Sequence, residues 1–166
     1  MDREEIIRRY ATGDRDFSGV SLRESELEYI NLMGSDLSGA DLICTNLRGA
    51  GLSNTNLSGA NLRGANLSGA TLRNAKLDSA DLRNACLWGT NLTDSSLARA
   101  NFDGANLTNA VLSNARMYGT NLERTILINT ILRDVMDLNF VLAFNAFFWN
   151  TTLPDGSIKV GPIYGS

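Results

Sequence analysis

Large apolar residues recur at every fifth position from Phe17 to Leu132. These 24 centre positions hold 21 leucines, and the residue two before each centre is Ala in 12 repeats, Thr in six and Ser in three. A period of five fits neither regular structure. On an α-helix the leucines would wander around the axis, and on a straight strand they would alternate between the two faces.

The residue two positions after each centre indicates a bend. It is Gly in ten of the 24 repeats and Asn in six, and these residues tolerate unusual backbone angles. A short extended piece followed by a bend would direct every leucine toward one axis. The pattern therefore predicts a coiled, β-like solenoid filled with leucine, in which the small residue lies where the wall leaves no room for a larger one.

The repeated unit is alanine, Asp or Asn, leucine and two variable residues, as in Ala40-Asp41-Leu42 and Ala60-Asn61-Leu62. This unit resembles the signature of the pentapeptide repeat family, over roughly residues 15–153, and the style of the two ends is similar to cyanobacterial members. The resemblance implies an all-β solenoid, a right-handed quadrilateral β-helix in which four quintets make one coil. About seven coils are expected on this basis.

The two ends of the chain predict caps. Residues 1–14 are predicted to be a helical cap over the first coil, because Asp2 and Glu5 resemble a capping box and Gly13 is a stop signal. The repeats fill residues 15–153, with a one-residue slip of the register at 133–138. Residues 154–166 are predicted to be a C-terminal capping tail, with a short strand at 157–160.

Apolar side chains take outward positions near the end of the repeats, and such a patch on a polar rod is typical of an interface. Two explanations stay open: the C-terminal tail covers this patch, or another subunit does. The candidate interface residues are Trp88, Ile126, Ile128, Leu142, Phe144, Phe147 and Trp149.

Charge is uneven along the chain, although the formal net charge is only −3. Residues 1–41 hold ten acidic and five basic side chains, a net of −5. The first coil is therefore either a solvated terminal coil or an acidic patch for a basic partner. The candidate acidic patch consists of Asp14, Asp16, Glu24, Glu26 and Glu28.

Residue types that carry chemistry are scarce. The chain has no histidine, which removes the commonest general base and metal ligand. The glycines are repeat corners rather than a phosphate-binding loop. We therefore expect no catalytic residue, no metal site, no cofactor and no enzyme activity. No strongly basic field invites nucleic acid, and no apolar run is long enough to span a membrane.

The two cysteines, Cys44 and Cys86, are predicted to lie two coils apart, too far for a disulfide. They indicate free thiols in a reducing cytoplasm, and no secretory signal is evident in residues 1–13.

The leading functional hypothesis is a non-catalytic scaffold or regulatory module that binds another protein, with a homodimer through the C-terminal coil as one arrangement. The alternative comes from the resemblance, because some members of the family inhibit or protect DNA gyrase by imitating duplex DNA. A mimic needs dense negative charge along the rod. Residues 42–77 instead hold four basic side chains and no acidic one.

Overall fold

The computed structural model describes residues 1–137 and 142–160, and the first element is helix α1, Arg3–Ala11. The Asp2 side chain is the N-cap and accepts a hydrogen bond from the backbone N–H of Glu5 at 2.8 Å. Acidic residues in the first turn and basic residues in the last complement the helix dipole. The helix ends at Thr12, and Gly13 redirects the chain with a φ of 95°.

After the helix, the chain pairs with itself at a constant offset of 20 residues, from Asp16 with Asp36 to Arg116 with Met136. All of these pairs are parallel. In the middle of the chain, the Leu62 N–H donates to the Asp81 carbonyl at 2.7 Å, and the Asp81 N–H donates back to the preceding coil at 3.0 Å. Each coil is therefore a layer of 20 residues that is hydrogen-bonded to the layers below and above it.

Each coil has four sides of five residues, because a bend follows every centre residue. All 24 bend residues have φ between 53° and 72°, which is the left-handed region. Two of the four sides matter for the site and are named by their inward residues. Side 1 carries Leu22, Leu42, Leu62, Leu82, Phe102, Leu122 and Ala143, and side 2 carries Leu27, Leu47, Leu67, Leu87, Leu107, Leu127 and Phe148.

The interior is a single column of apolar side chains. All 24 centre residues are 1% exposed or less, and Ile6 of α1 is buried in the same cluster. Burial of each leucine contributes about 1.5–3 kcal/mol before the entropy of ordering is subtracted. The alternation of small and large inward residues lets the wall of the coil close around the leucines.

Buried threonines tie neighbouring coils together. Thr90 Oγ1 donates to the carbonyl of Leu67, and Thr45 Oγ1 donates to that of Leu22, each at 2.7 Å. Both bonds reach back 23 residues, into the coil below. Ser35 and Ser95 occupy equivalent inward positions, but their buried hydroxyls have no hydrogen-bond partner among the described residues.

Helix α1 lies at the open edge of the first coil, where carbonyl groups have no preceding layer to bind. Arg3 donates to the carbonyls of Glu26 and Glu28, at 2.8 and 3.2 Å. The Tyr10 hydroxyl donates to the Met33 carbonyl at 3.0 Å. These contacts satisfy backbone acceptors that would otherwise form an unpaired sheet edge.

The pairing offset changes near the C-terminus. Met136 still pairs 20 residues back, whereas Leu142 pairs with Asn121, at an offset of 21. The extra residue therefore lies between Met136 and Leu142. Of the interval predicted from the sequence, residues 133–136 keep the earlier register, and Leu138 falls outside the described residues.

Four short strands complete the described fold. Strand β1, Ile126–Ile128, pairs in parallel with β2, Phe147–Trp149. Strand β3, Thr151–Thr152, pairs antiparallel with β4, Ile158–Lys159. The described part of the tail thus returns along the last coil on the side that follows side 2. Its strand is shorter than the four residues that the sequence pattern suggested.

Candidate functional site

Six of the seven candidate interface residues meet in the last two described coils, and together they are called the apolar end. Pairing of β1 with β2 places Phe147 directly above Ile126 and Trp149 directly above Ile128, all on side 2. The other two members belong to side 1 of the last coil. The apolar end consists of Ile126, Ile128, Leu142, Phe144, Phe147 and Trp149.

These side chains point away from the interior. Phe144 is 53% exposed and Trp149 is 48% exposed. In contrast, Leu127 and Phe148, the middle residues of β1 and β2, are buried in the core. The alternation within each strand explains this, because the residues before and after an inward centre face outward. The result is an aromatic surface on a rod whose earlier outward positions are mainly polar.

The described part of the tail leaves this surface uncovered. Residues 154–160 follow β3 and return as β4, which pairs with Thr151 and Thr152 rather than with β2. The sequence left two explanations open for the apolar patch: coverage by the C-terminal tail or by another subunit. Residues 154–160 give no support to coverage by the tail.

Polar groups frame the apolar end on two corners. Asn150 donates to Asn129, and Asn129 donates to Asn109, at 2.8 and 3.1 Å, along the far corner of side 2. Arg124 lies at the corner between sides 1 and 2, where its Nε donates to Asp103 at 2.7 Å. An apolar centre with a satisfied polar rim is the common anatomy of protein interfaces.

The ion pair at this rim shifts the pKa of both partners toward their charged forms. The hydrogen bond from Arg124 holds the pKa of the Asp103 carboxyl below its ordinary value and raises the pKa of Arg124. Both groups are therefore charged at neutral pH. Because they are already paired, they add little net charge to the apolar end.

Trp88, the seventh candidate, is separate from the others. It lies on side 2 in the same outward column as Ile128, but Thr108 occupies the intervening coil. At about 4.8 Å per coil, this places Trp88 roughly 10 Å below Ile128. It lines a different groove, with Tyr29, Arg48 and two glycines.

The five residues of the candidate acidic patch are dispersed. Only Glu26 and Glu28 share a side, and Glu26 accepts a 2.6 Å hydrogen bond from Asn46. Asp14 precedes the first coil and is bonded to Arg9, which lowers the pKa of its carboxyl. Asp16 lies on another side of the first coil, whereas Glu24 lies at the corner where side 2 begins, two residues before Glu26, so the two aspartates and the three glutamates do not form one continuous surface.

Tyr29 and Arg48 were missed as site residues at the level of the sequence. The sequence did contain an indication for Tyr29, because it occupies a bend position where Gly and Asn predominate. A bulky residue at a left-handed position is unusual. Its proximity to Trp88, however, depends on the stacking of coils and is not visible in local sequence.

Metal and membrane chemistry are not evident in the described parts of the chain. Residues 1–137 and 142–160 contain no group of three or more His, Cys, Asp or Glu arranged to hold a metal ion. No helix within these ranges has the length and apolarity required to cross a bilayer. Cys44 and Cys86 are both free thiols, and Cys44 is exposed.

The geometry defines a class of protein: a four-sided repeat solenoid whose distinctive features are on its outer surface. A sequence profile described as pentapeptide repeats matches residues 16–54, 50–89 and 90–134, with 8 copies. The chain belongs to the pentapeptide repeat family, whose members form right-handed quadrilateral β-helices.

Solved structures of pentapeptide repeat proteins are similar to this chain. Rfr23 from the cyanobacterium Cyanothece 51142 is 26% identical over 84% of this chain and 98% of that chain, with a TM-score of 0.60. HetL, a protein involved in regulating heterocyst differentiation in Nostoc sp. strain PCC 7120, is 30% identical over 96% and 100% of the two chains, with a TM-score of 0.33.

QnrB1, a plasmid-mediated fluoroquinolone resistance protein, is 20% identical over 81% of this chain and 71% of that chain, with a TM-score of 0.59. At this identity the likeness concerns the fold alone. A sequence search among curated proteins gave no significant match.

Proposed function

We propose that this protein is a non-catalytic scaffold that binds another protein through its apolar end. The observation that carries the proposal is the pairing of Phe147 with Ile126 and of Trp149 with Ile128 on the outer surface. Aromatic residues are enriched at the centres of protein interfaces, where they exclude water from a large contact area.

A second copy of the chain is the first partner to test. A two-fold contact between apolar ends would bury the same aromatic residues on both subunits, as an isologous interface requires. The net charge of −3 is small and the Arg124–Asp103 pair is already formed, which leaves the Glu123 carboxylate beside Phe144 as the charge that such a contact must accommodate. We place the protein in the cytoplasm, because free thiols, of which that of Cys44 is exposed, persist best in a reducing compartment.

The test is the oligomeric state of three proteins, measured by light scattering over a range of concentrations. The wild type should be a dimer, and Trp149→Glu should be a monomer because it places a charge at the centre of the contact. Thr108→Glu is the matched control: it adds the same charge to side 2 one coil below Ile128 and should remain a dimer.

A monomeric wild type would remove the homodimer and leave a different protein as the partner. Affinity capture from the native cell, with the wild type and Trp149→Glu as parallel baits, then decides. Proteins retained by the wild type and lost by the variant would support the scaffold. Identical sets of captured proteins would contradict it.

Imitation of DNA is the alternative function, and the charge of the coils argues against it. Residues 42–77 carry Arg48, Arg63, Arg73 and Lys76 without an acidic side chain. A rod with this positive stretch lacks the continuous negative columns of a duplex. In a supercoiling assay, excess protein should leave gyrase activity unchanged, and inhibition would restore the alternative.

A further inference from the structure

A groove with aromatic walls lies on side 2, at the opposite end of that side from the apolar end. Its volume is about 280 Å³, and it is lined by Tyr29, Arg48, Gly49, Ser68, Gly69 and Trp88. These residues come from four successive coils. The proposed function makes no use of the groove, which we call the aromatic slot.

The lower wall of the aromatic slot is Tyr29, held in an unusual backbone conformation. Its φ is 56°, at a bend where the next three coils have glycine. A Cβ atom at Gly49 would lie 2.5 Å from Cδ1 and Cε1 of the tyrosine ring, so only glycine permits this position of the ring. Tyr29 is nevertheless 65% exposed, and the arrangement presents an aromatic face to solvent.

The upper wall is Trp88, which is 52% exposed. Between the walls the floor is Gly69, where an added Cβ would meet nothing within 4 Å. Gly49 and Trp88 belong to coils separated by two layers, roughly 10 Å in a stack with strand-like spacing. The Tyr29 ring lies against Gly49, so the Gly69 layer between Gly49 and Trp88 is open, and the groove's volume of about 280 Å³ is the space available to a side chain.

Among the residues that line the slot, the cation is Arg48, whose guanidinium lies over the Tyr29 ring. The Arg48 guanidinium carbon lies 5.9 Å from the centre of the Tyr29 ring. Its nearest carboxylate, Glu28, is 4.0 Å away, at the limit of an ion pair, and Glu28 does not line the groove. Arg48 can therefore still donate to an incoming carboxylate.

We propose that the aromatic slot is a docking site for a partner protein segment in which an aromatic residue is flanked by an acidic one. The aromatic ring enters between Tyr29 and Trp88 and covers Gly69, while the carboxylate pairs with Arg48. Tyr, Trp and Arg are the residue types that most often dominate binding energy at interfaces. Because Glu26 and Glu28 lie on the same side one coil below Arg48, a segment of opposite charge is the decisive control.

The experiment is a titration of isotope-labelled protein followed by NMR. The probe is the peptide acetyl-Asp-Phe-Asp-amide, and the controls are acetyl-Lys-Phe-Lys-amide and acetyl-Asp-Ala-Asp-amide. The expected result is a saturable shift of the Trp88 indole and of the Gly49 and Gly69 amides with the first peptide. The dissociation constant of each control peptide should be higher by a factor of roughly ten or more.

A matched pair of variants distinguishes the slot from general surface binding. Gly69→Asn fills the floor, and the backbone tolerates asparagine because Asn109 and Asn129 occupy the same column with positive φ. Gly59→Asn makes the same change at an equally open bend on another side. Binding should fall roughly tenfold or more in Gly69→Asn and stay unchanged in Gly59→Asn.

Three outcomes would overturn the proposal: no saturable shift at the slot, equal binding of the lysine peptide, or equal binding by Gly69→Asn. The slot lies several coils from Trp149. The result of this titration is therefore independent of the oligomeric state of Trp149→Glu.

Discussion

At the scale of the residue, the five-residue repeat constrains inward positions more tightly than outward ones. Every centre from Phe17 to Leu132 is buried, and every bend residue that follows one has a positive φ, even where Tyr29, Arg99 or Arg124 replaces glycine. The hydrogen bonds to the coils above and below hold these residues in the left-handed region against their intrinsic preference. The repeat therefore tolerates unsuitable residues at bends, and it also tolerates the unpaired hydroxyls of Ser35 and Ser95 at inward positions.

Two neighbouring inward positions should respond to alanine with opposite signs. Ser95 is 1% exposed and its hydroxyl is unpaired within the described structure, so Ser95→Ala should raise the free energy of unfolding by about 1 kcal/mol. Thr90 donates to the Leu67 carbonyl, so Thr90→Ala should lower it by about 1 kcal/mol. Urea denaturation measures both changes. A loss of stability in Ser95→Ala would show that its hydroxyl has a bonding partner.

Bend positions allow a second comparison. Gly49→Ala should cost more stability than Gly59→Ala, although both have φ near 66°. An added Cβ at Gly49 collides with the Tyr29 ring, whereas one at Gly59 meets nothing within 4 Å. Both variants carry the strain of an L-residue in the left-handed region, about 1–2 kcal/mol. Equal midpoints in urea would indicate that the Tyr29 ring moves aside freely.

At the scale of the element, the ends of a solenoid present the same problem as the edges of a sheet. The first coil exposes carbonyl groups that no earlier coil can satisfy, and α1 supplies donors from its side chains. The helix is short and has few buried residues of its own. Its contribution is therefore best measured through the individual donors.

Two arginines of α1 form a matched test of this role. Arg3→Ala removes the bonds to the Glu26 and Glu28 carbonyls and should lower the free energy of unfolding by about 1 kcal/mol. Among the described residues, the Arg8 side chain donates only to Glu5, on the exposed face of the helix. Arg8→Ala should therefore change stability by no more than about 0.5 kcal/mol.

Hydrogen exchange of the backbone amides in residues 17–34 gives a second readout for this pair. Faster exchange is expected in Arg3→Ala alone. If both variants exchange like the wild type, the helix does not protect the first coil.

At the scale of the whole molecule, charge is arranged in local pairs rather than in a field. Hydrogen bonds from Ser38, Arg83 and Arg124 lower the pKa values of Asp36, Asp81 and Asp103, respectively, below 3.8. Carboxyls with depressed pKa values stabilise the folded state above their unfolded pKa and lose that effect as the pH falls. The absence of histidine removes the usual titration near neutrality.

Stability should accordingly be flat between about pH 5 and pH 7 and should decrease as the pH falls below about 4. Urea midpoints across this range measure the effect. Asp81→Asn should show a smaller decrease in acid than the wild type, because it removes one of the shifted carboxyls. A midpoint that already falls between pH 7 and pH 5 would be inconsistent with these pKa directions.

The sequence by itself determined the inward column, the bends and the family, because a strict period of five leaves only one way to bury all the leucines. It also indicated the outward positions of Phe147 and Trp149, since strand neighbours of a buried centre must face solvent. The arrangement of residues on the outer surfaces could be determined only from the fold. Contacts between outward side chains join residues about 20 apart in sequence and depend on the register between coils.

Three features depended on the stacking of coils. Tyr29 lies over Gly49 and near Trp88, and the five acidic residues are dispersed. The Arg3 side chain donates to two carbonyls of the first coil. The extra residue between Met136 and Leu142 was likewise placed by pairing, since the apolar pattern is too irregular there to fix it. The local sequence determines which apolar residues are buried. Contacts between outward side chains depend instead on the register of coils that are distant in sequence.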